Sequence, residues 1–284
     1  MTRRIRNLRE YGFNTNHRTY VVAEIGINHG GNIEVAKRLI ASAVRAGANA
    51  VKFQAFITEK RAPKGNRVIY DILKKCELPF EAFKELKEYT AQYDVEFFST
   101  VFDVESLEYL ESIDCGLHKV ASFDVVNHKL LAEVAKTGKA VFLSVGMATL
   151  EEIEKAYNIL KKGTDKIALL HCISAYPTEE EDANLAVIFT LQDRFDCIIG
   201  QSDHTNDIQV PLYAVAAGAQ VIEKHFKIDE NMDCVDAPVS ITEAQMKRMV
   251  EEIRRIEEIF GRGEFGARKA EKDIKIFRRY TEVR

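Results

Sequence analysis

Short apolar runs recur along the chain, and longer polar or amphipathic segments separate them. Within those segments apolar residues return at spacings of three and four, as at Val35, Leu39 and Ala43, which is typical of helices that bury one face. The short runs are mostly apolar, which indicates strands that are buried on both faces. The predicted strands cover residues 20–27, 50–54, 95–100, 117–122, 140–144, 166–172, 198–204 and 220–226.

Local signals mark several helix boundaries. Asp103 is a predicted helix N-cap, and Thr149 with Glu152 forms a predicted capping box, because such side chains bond free backbone N–H groups. A last amphipathic helix is predicted from Thr242. Residues 58–65 form a longer polar connection ahead of the next helical region.

Eight strand–helix units follow one another without a break in composition. This order predicts a (β/α)8 TIM barrel of the α/β class. A doubly wound open sheet is the alternative, but it needs fewer strands, and no G-x-G-x-x-G motif follows the first strand. We predict one barrel domain over residues 19–262, a short N-terminal extension over 1–18 and a C-terminal tail over 263–284.

Composition limits the partners and the location that we expect for the protein. The 284 residues are 46% hydrophobic and 30% charged, with a formal net charge of −4, so no nucleic-acid partner is expected. No apolar stretch is long enough to span a membrane and no signal peptide is present, so no membrane partner is expected. Five dispersed cysteines without a C-x-x-C pair suit reduced thiols and indicate a cytoplasmic location.

Polar side chains stand at the ends of the predicted strands, where barrels of this kind carry their chemistry. Two of them are lysines, Lys52 and Lys119. The hydroxyl side chains at other strand ends are those of Thr100, Ser122, Ser144 and Ser202. Two ammonium groups and four hydroxyl donors suit a phosphate with an adjacent carboxylate. The sequence therefore predicts a site for a small, highly anionic ligand.

A histidine closes each of the last two predicted strands. If these strands are parallel neighbours, His204 and His225 reach one small volume and can hold a divalent metal with coordination positions left open. Two unrelated histidines, one packed and one on a loop, are the simpler interpretation of the pair alone. The polar residues at the other strand ends favour the metal site.

An ordered set of motifs spans nearly the whole predicted barrel. These are AEIGINHGG at 23–31, VKFQ at 51–54, GN at 65–66, KVAS at 119–122, LSVGM at 143–147, YPT at 176–178, SDHT at 202–205 and EKHF at 223–226. In this order they resemble the sialic acid synthase family, which contains N-acetylneuraminate and other nonulosonate synthases and spore-coat polysaccharide relatives. The ordered set is far more specific than any single motif.

The resemblance implies a transferase that forms a carbon–carbon bond. Such enzymes condense phosphoenolpyruvate with an acylated mannosamine-type sugar, or a related one, and yield a nonulosonic acid and phosphate. The implied phosphoenolpyruvate contacts are Lys52, Thr100, Lys119, Ser122, Ser144 and Ser202. The implied metal, Mn²⁺ or Mg²⁺, lies on His204 and His225. The implied sugar contacts are Glu24, Gln54, Asn66, Ser174, Tyr176 and Asp236.

Catalytic roles follow from the same resemblance. Glu24 and Lys119 are expected to take part in catalysis, and Asp124 is expected to activate the attacking water. Three positions depart from the family pattern: Asp124 stands where Glu is usual, Ser174 stands where Asn is common, and Asp236 alone remains of a Gly-Pro-Asp. The residues expected to bind phosphoenolpyruvate match the family.

Family members usually continue into a small antifreeze-like domain that sends an arginine into the partner's site. No such domain is expected in this chain, so we expect an open sugar site and weak acceptor binding, in a homodimer.

Two other functions stay open. A Schiff-base aldolase would use Lys52 or Lys119 as nucleophile, but it needs an apolar setting that the hydroxyl-rich ring does not offer. A non-catalytic relative that binds phosphoenolpyruvate or a sugar is the other, and the altered loop over residues 234–238 keeps it open.

Overall fold

A computed structural model describes residues 5–261, 263–266 and 268–279 of the protein, and it contains a closed barrel of eight parallel strands. Each strand pairs with the next along the chain, and β8 pairs with β1. The strands are β1 Tyr20–Gly26, β2 Ala50–Ala55, β3 Glu96–Val101, β4 Leu117–Val120, β5 Ala140–Ser144, β6 Ile167–His171, β7 Ile198–Asp203 and β8 Val221–His225. The predicted (β/α)8 barrel is confirmed.

Helices connect the strands and cover the outside of the barrel. They are α1 Ile33–Arg45, α2 Thr58–Arg61, α3 Arg67–Cys76, α4 Phe80–Thr90, α5 Val104–Ser112, α6 His128–Lys136, α7 Leu150–Leu160, α8 Val187–Arg194, α9 Gln209–Ala216 and α10 Glu243–Phe260. The predicted caps are confirmed. Asp103 accepts the Ser106 N–H at 2.8 Å, and capping boxes begin α7 at Thr149 and α10 at Thr242.

Two boundaries differ from the prediction in ways that affect the mouth of the barrel. The polar connection over 58–65 contains α2, because its start is bonded to distant residues that local sequence does not reveal. The fourth strand ends at Val120, and a 3-10 turn, Ser122–Asp124, follows it. The turn forms because the Asp124 N–H bonds back to the Ala121 carbonyl at 2.9 Å.

The segment before β1 lies against the N-terminal end of the barrel. Leu8 and Phe13 are buried there, and the Phe13 ring lies 5.2 Å from both Tyr20 and Phe142. Parts of the predicted domains lie outside the described residues. These parts are residues 1–4 of the extension, residue 262 at the end of the barrel, and residues 267 and 280–284 of the tail. No helix in the described part of the chain has the length and apolar character to cross a membrane.

Candidate active site at the C-terminal mouth of the barrel

The pairing register brings the predicted site residues of neighbouring strands side by side. In β1, Glu24 lies opposite Lys52 of β2 on one side and His225 of β8 on the other. Thr100 of β3 lies opposite Lys119 of β4. Because parallel strands end at the same edge, these five strands contribute polar side chains to one mouth, and β5 and β7 add Ser144 and Ser202.

A buried ion cluster forms the floor of this mouth. Lys52 Nζ lies 2.9 Å from Glu24 Oε2 and 3.6 Å from Glu223 Oε1, and it donates to Thr100 Oγ1 at 2.8 Å. Gln54 Nε2 donates to Glu24 Oε1 at 2.9 Å and fixes that carboxylate. Buried charges are costly unless they are paired and hydrogen-bonded. Lys52 pairs with both carboxylates, but Glu24 Oε2, Gln54 Oε1 and Glu223 Oε2 are buried without a hydrogen-bond partner.

Lys119 supplies the second cation. Its Nζ donates to Ser144 Oγ at 2.7 Å and to the Val120 carbonyl at 2.9 Å. Burial lowers the pKa of Lys119, and Glu223 opposes the shift while Lys52 adds to it. A bound anion would stabilise the charged form of Lys119, because it would offset both the burial and the repulsion between the two ammonium groups.

Hydroxyl groups complete the ring. Ser122 Oγ and Ser174 Oγ are 2.9 Å apart, and Ser202 Oγ donates to Glu223 Oε1 at 2.9 Å. Gly146 permits this arrangement, because a Cβ at that position would lie only 2.5 Å from Ser174 Oγ. The loop after β5 therefore approaches the segment after β6 closely enough for Ser174 to lie beside Ser122.

Glu223 belongs to the site although the sequence interpretation did not include it. Burial raises its pKa, but Lys52 and Lys119 outweigh burial, so the pKa of Glu223 is lowered overall. For Glu24 burial prevails over Lys52, so the pKa of Glu24 is raised. Two carboxylates with pKa values shifted in opposite directions are typical of acid–base sites. The sequence could have revealed Glu223, because it stands two residues before His225 and residues two apart share a strand face.

The two predicted metal ligands lie together. The ring centroids of His204 and His225 are 5.5 Å apart, and the Tyr176 ring packs 4.2 Å from His204. His204 Nδ1 lies 2.6 Å from the Ile173 carbonyl, so Nδ1 carries the proton and Nε2 keeps its lone pair. Burial, with His225 adding to it, lowers the pKa of His204 to about 4, so this imidazole is neutral at pH 7.

Asp236 lies beside the second imidazole. Its Oδ2 is 3.3 Å from His225 Nδ1, and its attraction outweighs burial and raises the pKa of His225. Asn28 holds the Asp236 loop in place: Asn28 Oδ1 accepts the Asp236 N–H at 2.9 Å, and its Nδ2 donates to the Phe226 carbonyl and to Ser240. Asn28 thus positions Asp236, a role that the motif alone did not reveal.

A divalent metal is compatible with this pair of imidazoles. His204 Nε2 keeps its lone pair, and His225 Nδ1 faces Asp236 Oδ2 at 3.3 Å, which leaves Nε2 as the ring atom of His225 that a metal could take. Within residues 5–261, 263–266 and 268–279, no three His, Cys, Asp or Glu side chains are grouped as a metal centre. The donors therefore suit an ion held by two imidazoles, with substrate or water in the other positions. The metal stays a prediction.

Asp124 and Asn66 are placed differently from the rest. Asp124 Oδ1 accepts from Asn127 Nδ2 at 2.9 Å on the turn after β4, and burial raises the pKa of Asp124. Asn66 is exposed, and its side chain caps α3 by accepting the Ile69 N–H at 3.1 Å. Among the described residues Asn66 has no hydrogen bond to another predicted site residue, so its sugar contact stays a prediction.

The sequence model of the NeuB family matches residues 39–265. The chain belongs to this family. It is 38% identical over 279 residues to the N,N'-diacetyllegionaminic acid synthase of Campylobacter jejuni, covering 92% of this chain and 84% of that protein. It is 34% identical over 266 residues to a pseudaminic acid synthase of the same species, covering 88% and 77%. The solved N-acetylneuraminic acid synthetase of Leptospira borgpetersenii, in complex with citrate, is 39% identical with a TM-score of 0.88, over 91% and 90% of the two chains. This chain is thus a homologue of nonulosonic acid synthases.

Proposed function

We propose that the protein condenses phosphoenolpyruvate with an acylated mannosamine-type aldose to give a nonulosonic acid and phosphate, with Mn²⁺ or Mg²⁺ as cofactor. The observation that carries the proposal is the meeting of two buried lysines and two imidazoles at one mouth, with Lys52 2.8 Å from Thr100 and Lys119 2.7 Å from Ser144. The names of the NeuB relatives support the same reaction class.

The lysines and hydroxyls bind phosphoenolpyruvate. Its phosphate and carboxylate carry more negative charge than one ammonium group can offset, and Lys52 and Lys119 supply two. Ser122 and Ser174 lie 2.9 Å apart and offer paired donors for one anionic group. Binding the anion from several strands fixes the face of the enol carbon that reacts.

The reaction forms one carbon–carbon bond and, at C2, replaces the carbon–oxygen bond to phosphate by one to the oxygen of water. C3 of phosphoenolpyruvate attacks the aldehyde carbon, whose oxygen takes a proton, and C2 becomes an oxocarbenium-like centre. Glu24, whose pKa burial raises although Lys52 and His225 lower it, is the carboxyl group that we assign to that proton transfer. Asp124 takes a proton from the water that adds to C2. The resulting intermediate loses phosphate and leaves the keto acid.

The imidazoles of His204 and His225 would hold the metal. When bound, a divalent ion there supplies Lewis-acid stabilisation of the negative charge that develops on the aldehyde oxygen. Tyr176 packs against His204 and lies 5.9 Å from His225, so it keeps both rings oriented toward the mouth. Asp236 keeps His225 in place from the side of the β8 loop.

Phosphate release tests the proposal. The protein is incubated with phosphoenolpyruvate, Mn²⁺ or Mg²⁺, and a panel of N-acylated hexosamines, and phosphate is measured with and without a chelator. We expect release only when an acylated mannosamine-type sugar and the metal are both present. Release that does not depend on any sugar would refute condensation.

One observation favours a second candidate, a Schiff-base aldolase. Burial lowers the pKa of Lys119, and a neutral lysine is the nucleophile that such enzymes need. Its hydrogen bonds to Ser144 and the Val120 carbonyl, together with the nearby Glu223, favour the charged form instead. Borohydride trapping separates the two: an aldolase is labelled covalently at Lys119 in the presence of a carbonyl substrate, and a synthase is not.

A further inference from the structure

The short helix α2 is fastened at its start to two neighbouring elements. The Ile57 N–H donates to Asp103 Oδ2 at 3.2 Å, and Thr58 Oγ1 donates to Glu77 Oε2 at 2.6 Å. Asp103 in turn caps α5. The last residue of α2 is Arg61, so its backbone is held at a defined position beside the end of β2.

The Arg61 guanidinium lies against two aromatic rings and has unused donors. Its carbon is 3.9 Å from the Phe102 ring centroid and 4.5 Å from that of Phe56. Nη1 is buried and has no hydrogen-bond partner. No ion pair involving Arg61 is found in the described part of the chain. Arg61 is half-buried, and leaving its buried Nη1 without a partner is costly. Stacking on the aromatic rings offsets only part of that cost.

The position of α2 places Arg61 at the mouth, and the charges that act on Arg61 agree with this placement. Burial lowers the pKa of Arg61 to about 10, while Asp236, Glu24, Tyr176 and Asp124 raise it in that order of effect. These four groups lie on β1 and on the segments after β4, β6 and β8. Because α2 follows the C-terminal end of β2, Arg61 lies on the mouth side of the barrel, and the charges of these four groups act on it there.

We propose that Arg61 recognises the acceptor by donating from Nη1 to the carbonyl oxygen of its acylamino group. This inference rests on the proposed function and extends it to a residue that sets acceptor specificity. The surrounding carboxylates accept hydrogen bonds from sugar hydroxyls, whereas Arg61 can only donate. An uncharged oxygen fits, because a phosphate here would lie beside Asp236 and Asp124 and would be repelled.

Calorimetric binding of two uncharged sugars tests this role. N-acetylmannosamine and mannose differ in the acylamino group, and each is titrated into wild-type protein and Arg61→Met in the presence of phosphoenolpyruvate. We expect the wild type to favour the acylated sugar by at least ~10-fold, the range of one hydrogen bond to a charged group. In Arg61→Met that preference should fall to within about two- to threefold.

One further variant and one control extend the test. Arg61→Lys retains the cation and serves if the Met variant does not fold; it should lose most of the preference, because it lacks the guanidinium fork. Arg67→Met is the matched control, since Arg67 is exposed and paired with Asp71 at 2.9 Å. Phosphoenolpyruvate affinity should stay within about twofold of wild type in all three variants.

Several results would overturn the inference. Equal weakening of both sugars, weakened phosphoenolpyruvate binding, or a lowered melting temperature with unchanged sugar preference would show that Arg61 only braces the loop. Failure of the wild type to bind either sugar would also count against it. If Arg61 sets the preference but no phosphate is released, the proposed function fails and this inference stands. If phosphate release is normal and the Arg61 variants keep the wild-type sugar preference, the proposed function stands and this inference fails.

Discussion

Replacing Lys119 by methionine separates ligand binding from folding, because the barrel offers a matched buried lysine. Lys119 bonds to Ser144 Oγ and the Val120 carbonyl, and it has no carboxylate ion pair in the residues described. Lys224 is equally buried, but it pairs with Asp203 at 2.6 Å. Lys119→Met should therefore affect the anion, and Lys224→Met should affect stability.

The magnitudes follow from these contacts. A charge-assisted hydrogen bond to phosphoenolpyruvate contributes about 1.5–3 kcal/mol, so its loss should raise the KM for phosphoenolpyruvate roughly 10- to 100-fold. The unfolding free energy of Lys119→Met should change by less than about 2 kcal/mol, since a buried unpaired cation is removed along with its two bonds. Lys224→Met strands the Asp203 carboxylate and should cost about 3–5 kcal/mol.

Two assays on each variant test whether Lys119 binds the anion and Lys224 stabilises the fold. Phosphate release at saturating sugar gives the KM for phosphoenolpyruvate, and urea denaturation gives the unfolding free energy. The reasoning is refuted if Lys119→Met keeps a wild-type KM, or if Lys224→Met raises KM as strongly without losing stability. The first result would mean that Lys119 does not bind the anion, and the second would mean that Lys224 is not a purely structural lysine.

The other predictions concern the metal, the water and pH. His204→Ala and His225→Ala should each abolish phosphate release while calorimetry still detects phosphoenolpyruvate binding; full activity in either variant would exclude the metal role. Asp124→Asn should lower kcat at least ~10² fold with little change in KM, and Asp124→Glu should keep activity. Burial lowers the pKa of His29 to about 4, so its stabilising effect is complete above pH 6.5 and is lost as pH falls toward 4. His29→Asn should reduce this acid destabilisation in urea unfolding by up to roughly 3 kcal/mol; an unchanged pH profile would contradict it.

The barrel could be predicted from sequence because its strands are buried on both faces and its helices on one. That contrast appears directly in the spacing of apolar residues, and Asp103, Thr149 and Thr242 mark helix starts through local bonds. The end of β4 could not be predicted. Ser122 leaves the sheet in a turn. The Asp124 N–H bonds to the Ala121 carbonyl there, and this local bond competes with strand pairing over a single residue.

The site was only partly visible in the sequence, for physical reasons that differ between residues. Lys52, Lys119 and the two histidines stand at strand ends, so the fold class alone brings them together. Arg61 was missed because α2 is placed by tertiary hydrogen bonds to Asp103 and Glu77, which no local pattern encodes.

The fate of C3 of phosphoenolpyruvate tests the central claim most directly. The protein is incubated with phosphoenolpyruvate labelled with ¹³C at C3, N-acetylmannosamine and Mn²⁺, and the label is followed by NMR spectroscopy and mass spectrometry. We predict that the vinyl signal becomes a methylene bonded to the former aldehyde carbon of the sugar, with one phosphate released for each bond formed. Label that appears only in pyruvate, or that stays in phosphoenolpyruvate with every acylated sugar tried, would contradict the assignment of this barrel as a nonulosonic acid synthase.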